Sequence, residues 1–303
     1  MADVETLQNT LENHLLQLQE APDTPLNELL FEECGIFLPS HLQKHPEQLR
    51  WIVQQVAKTL PTIQHDPQIC IRLLLRLIET YSFSDVIHLD PPVDFVTGLS
   101  VSAQPFNLLF LSLLEKASKS HEDAAHLAGL PVVVYALVKI WLCTPEVIIA
   151  DKAAKVLVSL LAVDKESSNV LVHGVGNNDL GTSGGQGLIW RRIFGDKDIY
   201  GLLFSLPSLN ATDDGLGKRA KTIAQARLLA ILPQIGVLDW GYLTRSHHSE
   251  IEKAYGLDPY KEGLIDFAAI HLVDIKNDVL IHMNLIQFFA NLVSMINSVS
   301  TTR

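Results

Sequence analysis

The stretch TPEVIIADKAAKVLVSLLA (Thr144–Ala162) sets Ala150, Ala153, Ala154, Leu157, Leu160 and Leu161 at steps of three and four behind Pro145. That spacing gathers them on one face of an α-helix. Thr144 supplies a capping oxygen, and proline suits the first helical position, where no backbone donor is needed. The same signal recurs upstream. Asp66-Pro67 heads an apolar-periodic segment over 68–84, and Gln104-Pro105 heads another over 106–118.

The three prolines therefore recur at roughly 40-residue steps, the period of armadillo and HEAT arrays. The predicted fold is all-α, an armadillo/HEAT-like right-handed α-solenoid. It occupies 1–303 as a single domain, with N-terminal helices over 1–65 and about six or seven irregular repeats over 66–303. A helix pair of such an array cannot bury both its faces alone, so neighbours stack on it and leave an extended binding surface. Function is then to be sought in a partner.

Moving outward, Leu7, Leu11, Leu15 and Leu18 form one face of a helix over 4–19, and shorter helices are expected over 25–33 and 46–60. Pro39 and Pro61 read as punctuation between them. Helices follow over 122–128, 132–141 and 146–162, the last two as a pair joined by a tight turn. Residues 174–187, GVGNNDLGTSGGQG, predict a mobile glycine-rich loop. Further helices are expected over 187–194, 196–204, 218–232 (ended by Pro233), 240–244, 249–255, 264–272 and 277–294. The final helix is expected to show Ile281, Leu285, Phe288, Phe289 and Leu292 on one face, which asks for a following helix. The chain reads as the N-terminal part of a longer array.

Composition narrows the function classes. A 48% hydrophobic content over 303 residues is ample for a folded core. The longest apolar run, 130–143, is interrupted by Lys139 and falls short of the roughly 20 residues that cross a bilayer. With acidic residues at the N-terminus instead of a basic signal region, a cytoplasmic or nuclear protein without membrane contact is expected. The net charge of −11, with no basic run, argues against nucleic acid. Cys34, Cys70 and Cys143 lie too far apart for a zinc module or a disulfide framework and read as reduced core residues.

Catalytic and cofactor patterns are weak. Gly181-Thr182-Ser183-Gly184-Gly185 matches G-x-S-x-G, but lacks the strand entering and helix leaving that hold such a serine exposed. No phosphate loop follows Gly174-Val175-Gly176. His41 with His45, and His247 with His248 and Glu250, lack further ligands at metal-site spacing. Glu250 with Glu252 reads as solubilising charge. No cofactor or metal and no enzymatic activity are expected. Trp141 reads as core, whereas Trp190, followed by Arg191 and Arg192, has the composition of an interface hot spot.

The runs DKAAKVLVSLLAVDKESSNVLVHG (151–174), GLIWRRIFGDKDIYGLLFSL (187–206) and KNDVLIHMNLIQFFANLVS (276–294) resemble the proteasome non-ATPase regulatory subunit 5 family and its fungal counterparts. The resemblance covers the chain from about residue 66 onward. It implies an all-helical chaperone for assembly of the proteasome regulatory-particle base. Such a chaperone binds the C-terminal domain of an ATPase subunit and is released before the mature proteasome forms.

Recognition is expected on polar faces of the inner helices. The candidate partner-binding residues are Arg72, Arg76 and Glu79 behind Pro67, Lys116 behind Pro105, Asp151 and Lys155 behind Pro145, and Trp190. Two other readings stay open on the residues alone: an armadillo/HEAT scaffold for an unrelated protein partner, and a serine hydrolase using Ser183.

Overall fold

The computed structural model describes residues 4–166, 184–210, 215–274 and 278–301. Among them the chain is all-α, and the one β contact is an isolated parallel bridge between Glu166 and Gly185. The chain divides into two compact units. The first runs up to Gly98 and includes Ser102–Lys116, and the second holds Leu99–Val101 and the described residues from Ala117 onward.

In the first unit, α1 (Val4–Glu20) buries Leu7, Leu11, Leu15 and Leu18, as its leucine spacing predicts. They face α2 (Glu28–Leu42) and α3 (Pro46–Thr59). Gln19 Nε2 ties α1 to α3 by donating to Gln55 Oε1 at 3.2 Å and Thr59 Oγ1 at 3.0 Å. Pro39 does not punctuate here but lies inside α2. An interior proline costs about 3 kcal/mol. The helix runs on through it and keeps Leu42, one turn beyond, fully buried.

The next helix, α4 (Gln68–Leu77), packs on α2 and α3 and stops well short of residue 84. The chain turns and restarts as α5 (Phe83–Ile87), opened by a capping box in which Ser82 and Asp85 satisfy each other's backbone N–H. Two more helices, α6 (Phe95–Gly98) and α7 (Asn107–Glu115), complete the unit. Contacts α1–α2, α1–α3, α2–α4 and α3–α4 step by one or two helices.

The periodic prolines open their helices from outside. Pro67 immediately precedes α4, and Pro105 stands two residues before α7. Asp66 Oδ1 accepts the Gln68 N–H at 3.0 Å, and Thr144 Oγ1 accepts that of Glu146 at 3.3 Å, but the cap positions themselves fall to Pro67 and Glu146 and not to the expected Asp66 and Thr144. Proline takes the first helical position at Pro46 and at Pro131 instead.

A 3₁₀ turn (Lys116–Lys119) leads into the second unit, whose α8 (His121–Ala128) is followed after a bend of 92° by α9 (Pro131–Cys143). Apolar on nearly all sides, α9 is the centre of this unit. It contacts α8, α10 (Val147–Val163), α11 (Leu188–Gly195), α12 (Lys197–Ser205) and α13 (Lys218–Leu238). Pro233 does not end α13, because Ile235 and Gly236 beyond it are buried with the rest of the stripe.

The remaining elements are α14 (Trp240–Thr244), α15 (Ser249–Ala254), α16 (Leu264–Asp266) with a π-helical turn (Phe267–His271), and α17 (Val279–Thr301). On α17, Ile281, Phe288, Leu292 and Met295 are buried, while Phe289, expected beside them, is exposed.

Between α10 and α11 the chain is pinned. The buried Asp164 carboxylate accepts the N–H groups of Gln186 at 3.1 Å and Ile189 at 2.6 Å, while Gly187 takes the left-handed φ of 67° that glycine accommodates without strain. The predicted glycine-rich loop falls, up to Ser183, outside the described residues.

Candidate functional site

The α4 sequence QICIRLLLRL divides cleanly. Ile69, Cys70, Leu73, Leu74 and Leu77 face inward, and Arg72 and Arg76, one turn apart, are left outside. Beside them, α2 buries Phe31, Cys34 and Leu38 and exposes Leu29 at 74%, Ile36 at 61% and Phe37 at 50%. Leu29 and Ile36 are two turns apart and share a face. The result is a shallow groove between α2 and α4, with Ile36 and Leu73 as apolar lining and the two guanidinium groups on its rim.

Its volume is about 130 Å³. Sites for small organic ligands are commonly 300–1,000 Å³, so this groove suits one or two side chains of a protein surface. Gly35 lets Arg76 lie against α2, because a Cβ there would come within 3.0 Å of Arg76 Nη1 and 3.3 Å of its Cδ. Arg72 Nη2 stands 3.7 Å from Glu32 Oε1, with both side chains more than half exposed. An ion pair so solvated is worth well under about 1 kcal/mol and yields readily to a better partner. Forked guanidinium donors beside the uncovered aliphatic Ile36 are the composition of an interface hot spot.

Of the candidate residues, the structure places Arg72 and Arg76 on this groove. Glu79 is exposed beyond the end of α4. Lys116 has an internal role: its Nζ donates to the carbonyls of Ile78 at 2.7 Å, Glu79 at 3.1 Å and Tyr81 at 2.9 Å. These oxygens follow α4, where helix carbonyls lack intrahelical donors, so the ammonium is a C-terminal cap.

Asp151 and Lys155 are exposed on α10, in the second unit. Trp190 is a correction. It is 2% exposed, donates Nε1–H to Leu161 O at 2.9 Å, and packs against Phe194 and Tyr242. α11 is amphipathic, and Trp190 shares its inner face with Ile189, Ile193 and Phe194. Ser183 lies outside the described residues.

Glu250 and Glu252 also part company. Glu250 is a solvated partner of Lys197, but Glu252 is fully buried and accepts four hydrogen bonds. Sequence reasoning passed over Leu29, Ile36 and Phe37 for a related reason. Ending the helix ahead of Pro39 left Ile36 and Phe37 without a helix face to share.

Burial pushes the Cys34 and Cys70 thiols up to about 12, the first with help from Glu33. Among the described residues no group of three or more His, Cys, Asp or Glu side chains is placed to hold a metal ion. No single described helix is long and apolar enough to cross a membrane. Comparison with protein-family models, curated proteins and solved structures finds no match to this chain.

Proposed function

We propose that this chain is a helical-repeat scaffold of armadillo/HEAT type that grips a protein partner through the α2–α4 surface. The observation that carries the reading is the pairing of Arg72 and Arg76 with the uncovered Ile36 across one groove. The one- and two-helix contact steps of α1–α4 support a stack of helical hairpins.

The resemblance of residues 151–174, 187–206 and 276–294 to the proteasome non-ATPase regulatory subunit 5 family supplies the partner. It is the C-terminal domain of an ATPase subunit of the regulatory-particle base. In this role the scaffold masks a surface of that domain during assembly and leaves before the mature proteasome forms. Carboxylates of the partner would take the guanidinium forks, and an apolar side chain would enter beside Ile36.

The test is titration calorimetry of the purified chain against each separately expressed ATPase C-terminal domain. One domain is expected to bind, and Arg76→Glu and Ile36→Asp are each expected to weaken it at least tenfold. Both positions are exposed, so unfolding free energies should stay within about 0.5 kcal/mol of the parent. Failure of every ATPase domain to bind would overturn the partner. Binding that both variants leave intact would overturn the surface.

A further inference from the structure

The Trp190-Arg191-Arg192 run is split by the fold, and its outward half lines a second groove. α11 turns Trp190 inward and presents Leu188, Arg191, Arg192 and Gly195 on its opposite side, facing Ala125, Ala128 and Gly129 at the end of α8. Asp196 and Lys197 close one end. The groove is wide open to solvent, with a volume of about 840 Å³.

The electrostatics run against the rest of the chain. Three cations line the groove with one carboxylate, in a protein whose net charge is −11. Each cation is already oriented. Arg192 donates Nε–H to Ala128 O at 2.8 Å and Nη1–H to Asp196 Oδ2 at 3.1 Å, and Arg191 donates Nη2–H to Gln186 O. Lys197 Nζ lies 2.8 Å from Glu250 Oε2, with the two side chains 61% and 82% exposed, an exchange of partners that costs little. Arg191 is anchored by a neutral carbonyl, which holds the guanidinium without cancelling its charge, whereas Arg192 shares its charge with the Asp196 carboxylate.

The lining between the charges is small or apolar. Ala125, Ala128, Gly129 and Gly195 leave room for a main chain to approach, and Leu188 offers apolar contact. A polynucleotide would meet the negative field of the surrounding protein. A short peptide engages only the groove. We propose that the α8–α11 groove binds an extended acidic peptide segment, its carboxylates on Arg191, Arg192 and Lys197 and an apolar side chain against Leu188 and Ala128. This goes beyond the α2–α4 reading and does not depend on it.

The experiment is fluorescence anisotropy of the full chain with a labelled peptide of alternating glutamate and leucine. The same peptide with lysine for glutamate and a single-stranded oligonucleotide serve as comparisons. Saturable binding of the acidic peptide alone is expected, weakening as salt rises. The double variant Arg191→Glu, Lys197→Glu should weaken it at least tenfold.

Gly195→Trp gives a steric arm that leaves the charges in place, since a Cβ at Gly195 meets nothing within 4 Å and the indole would fill the groove. It too should weaken binding at least tenfold with an unchanged melting temperature, and it decides the matter should the charge reversal unfold the protein. Glu250→Gln, which releases Lys197, should tighten binding. No binding of the acidic peptide, equal binding by Gly195→Trp, or preference for the oligonucleotide would each overturn the proposal.

Discussion

The hydroxyl of Tyr200 donates to the Glu252 carboxylate at 3.0 Å, where both side chains are fully excluded from solvent. The same carboxylate accepts the N–H groups of His247 at 2.8 Å and His248 at 3.3 Å and the Ser246 hydroxyl. One buried anion thereby holds the turn ahead of α15 against α12. Burial and the neighbouring anion push the Tyr200 phenol well above its ordinary range, so it stays a donor at any working pH. Replacing Glu252 by alanine strands these donors and should cost about 3 kcal/mol, a buried charge-assisted network being expensive to break on one side. Glu252→Gln keeps an acceptor and should cost less. Urea unfolding followed by far-ultraviolet circular dichroism measures both, and an alanine variant as stable as the parent would refute the role.

Lys116 separates a structural from a recognition role. Its ammonium satisfies three carbonyls beyond α4. Lys116→Met keeps the apolar stem and removes the donors, with an expected loss of about 1–2 kcal/mol in unfolding free energy. Affinity for an ATPase domain should be unchanged under conditions where the variant is folded. A variant of parental stability and reduced affinity would return Lys116 to the binding surface.

His247 makes stability depend on pH. Burial lowers its pKa from the ordinary 6.5, with Arg245 and His248 acting in the same direction, while its bond to Tyr242 O and the nearby Glu252 oppose. The folded protein thus holds the imidazole neutral, stacked on Tyr242 and beside Phe194. The unfolded chain binds the proton first, so this stabilisation is present above about 6.5 and is lost as pH falls below it. The urea midpoint should decline from pH 7.5 to 5.5, and His247→Asn should flatten the slope. Parallel profiles for the two proteins would exclude His247 as the source.

The cysteines differ in reach. Cys34 and Cys70 are buried with thiols pushed up to about 12, whereas Cys143, at the end of α9, is half-buried. A thiolate-selective reagent at neutral pH should modify Cys143 first and reach the other two only on unfolding. Rapid modification of Cys34 or Cys70 in the native protein, located by peptide mass analysis, would contradict their placement.

Helix periodicity was legible from the chain alone because it is a local property. The leucines of α1 and the all-round apolar α9 follow from residue spacing and the chemistry of a few neighbours. That is enough to establish an all-α protein with a large core. Local signals misled where burial competes with them. Pro39 and Pro233 look like helix ends, yet both helices run on through them and bury Leu42 and Ile235 on the far side.

Only tertiary packing decided the roles of the polar and aromatic residues. Trp190 turns inward because one face of α11 is needed by the core, and Lys116 reaches carbonyls 35–38 residues away along the chain. Glu252 is buried by partners from α12 and the turn before α15, whereas Glu250, two residues earlier, stays in water. Arg72 and Arg76 form a surface with Ile36 only because α2 lies beside α4. A charge or an aromatic ring has no fixed place in a sequence pattern; its environment is set by whatever distant element packs over it.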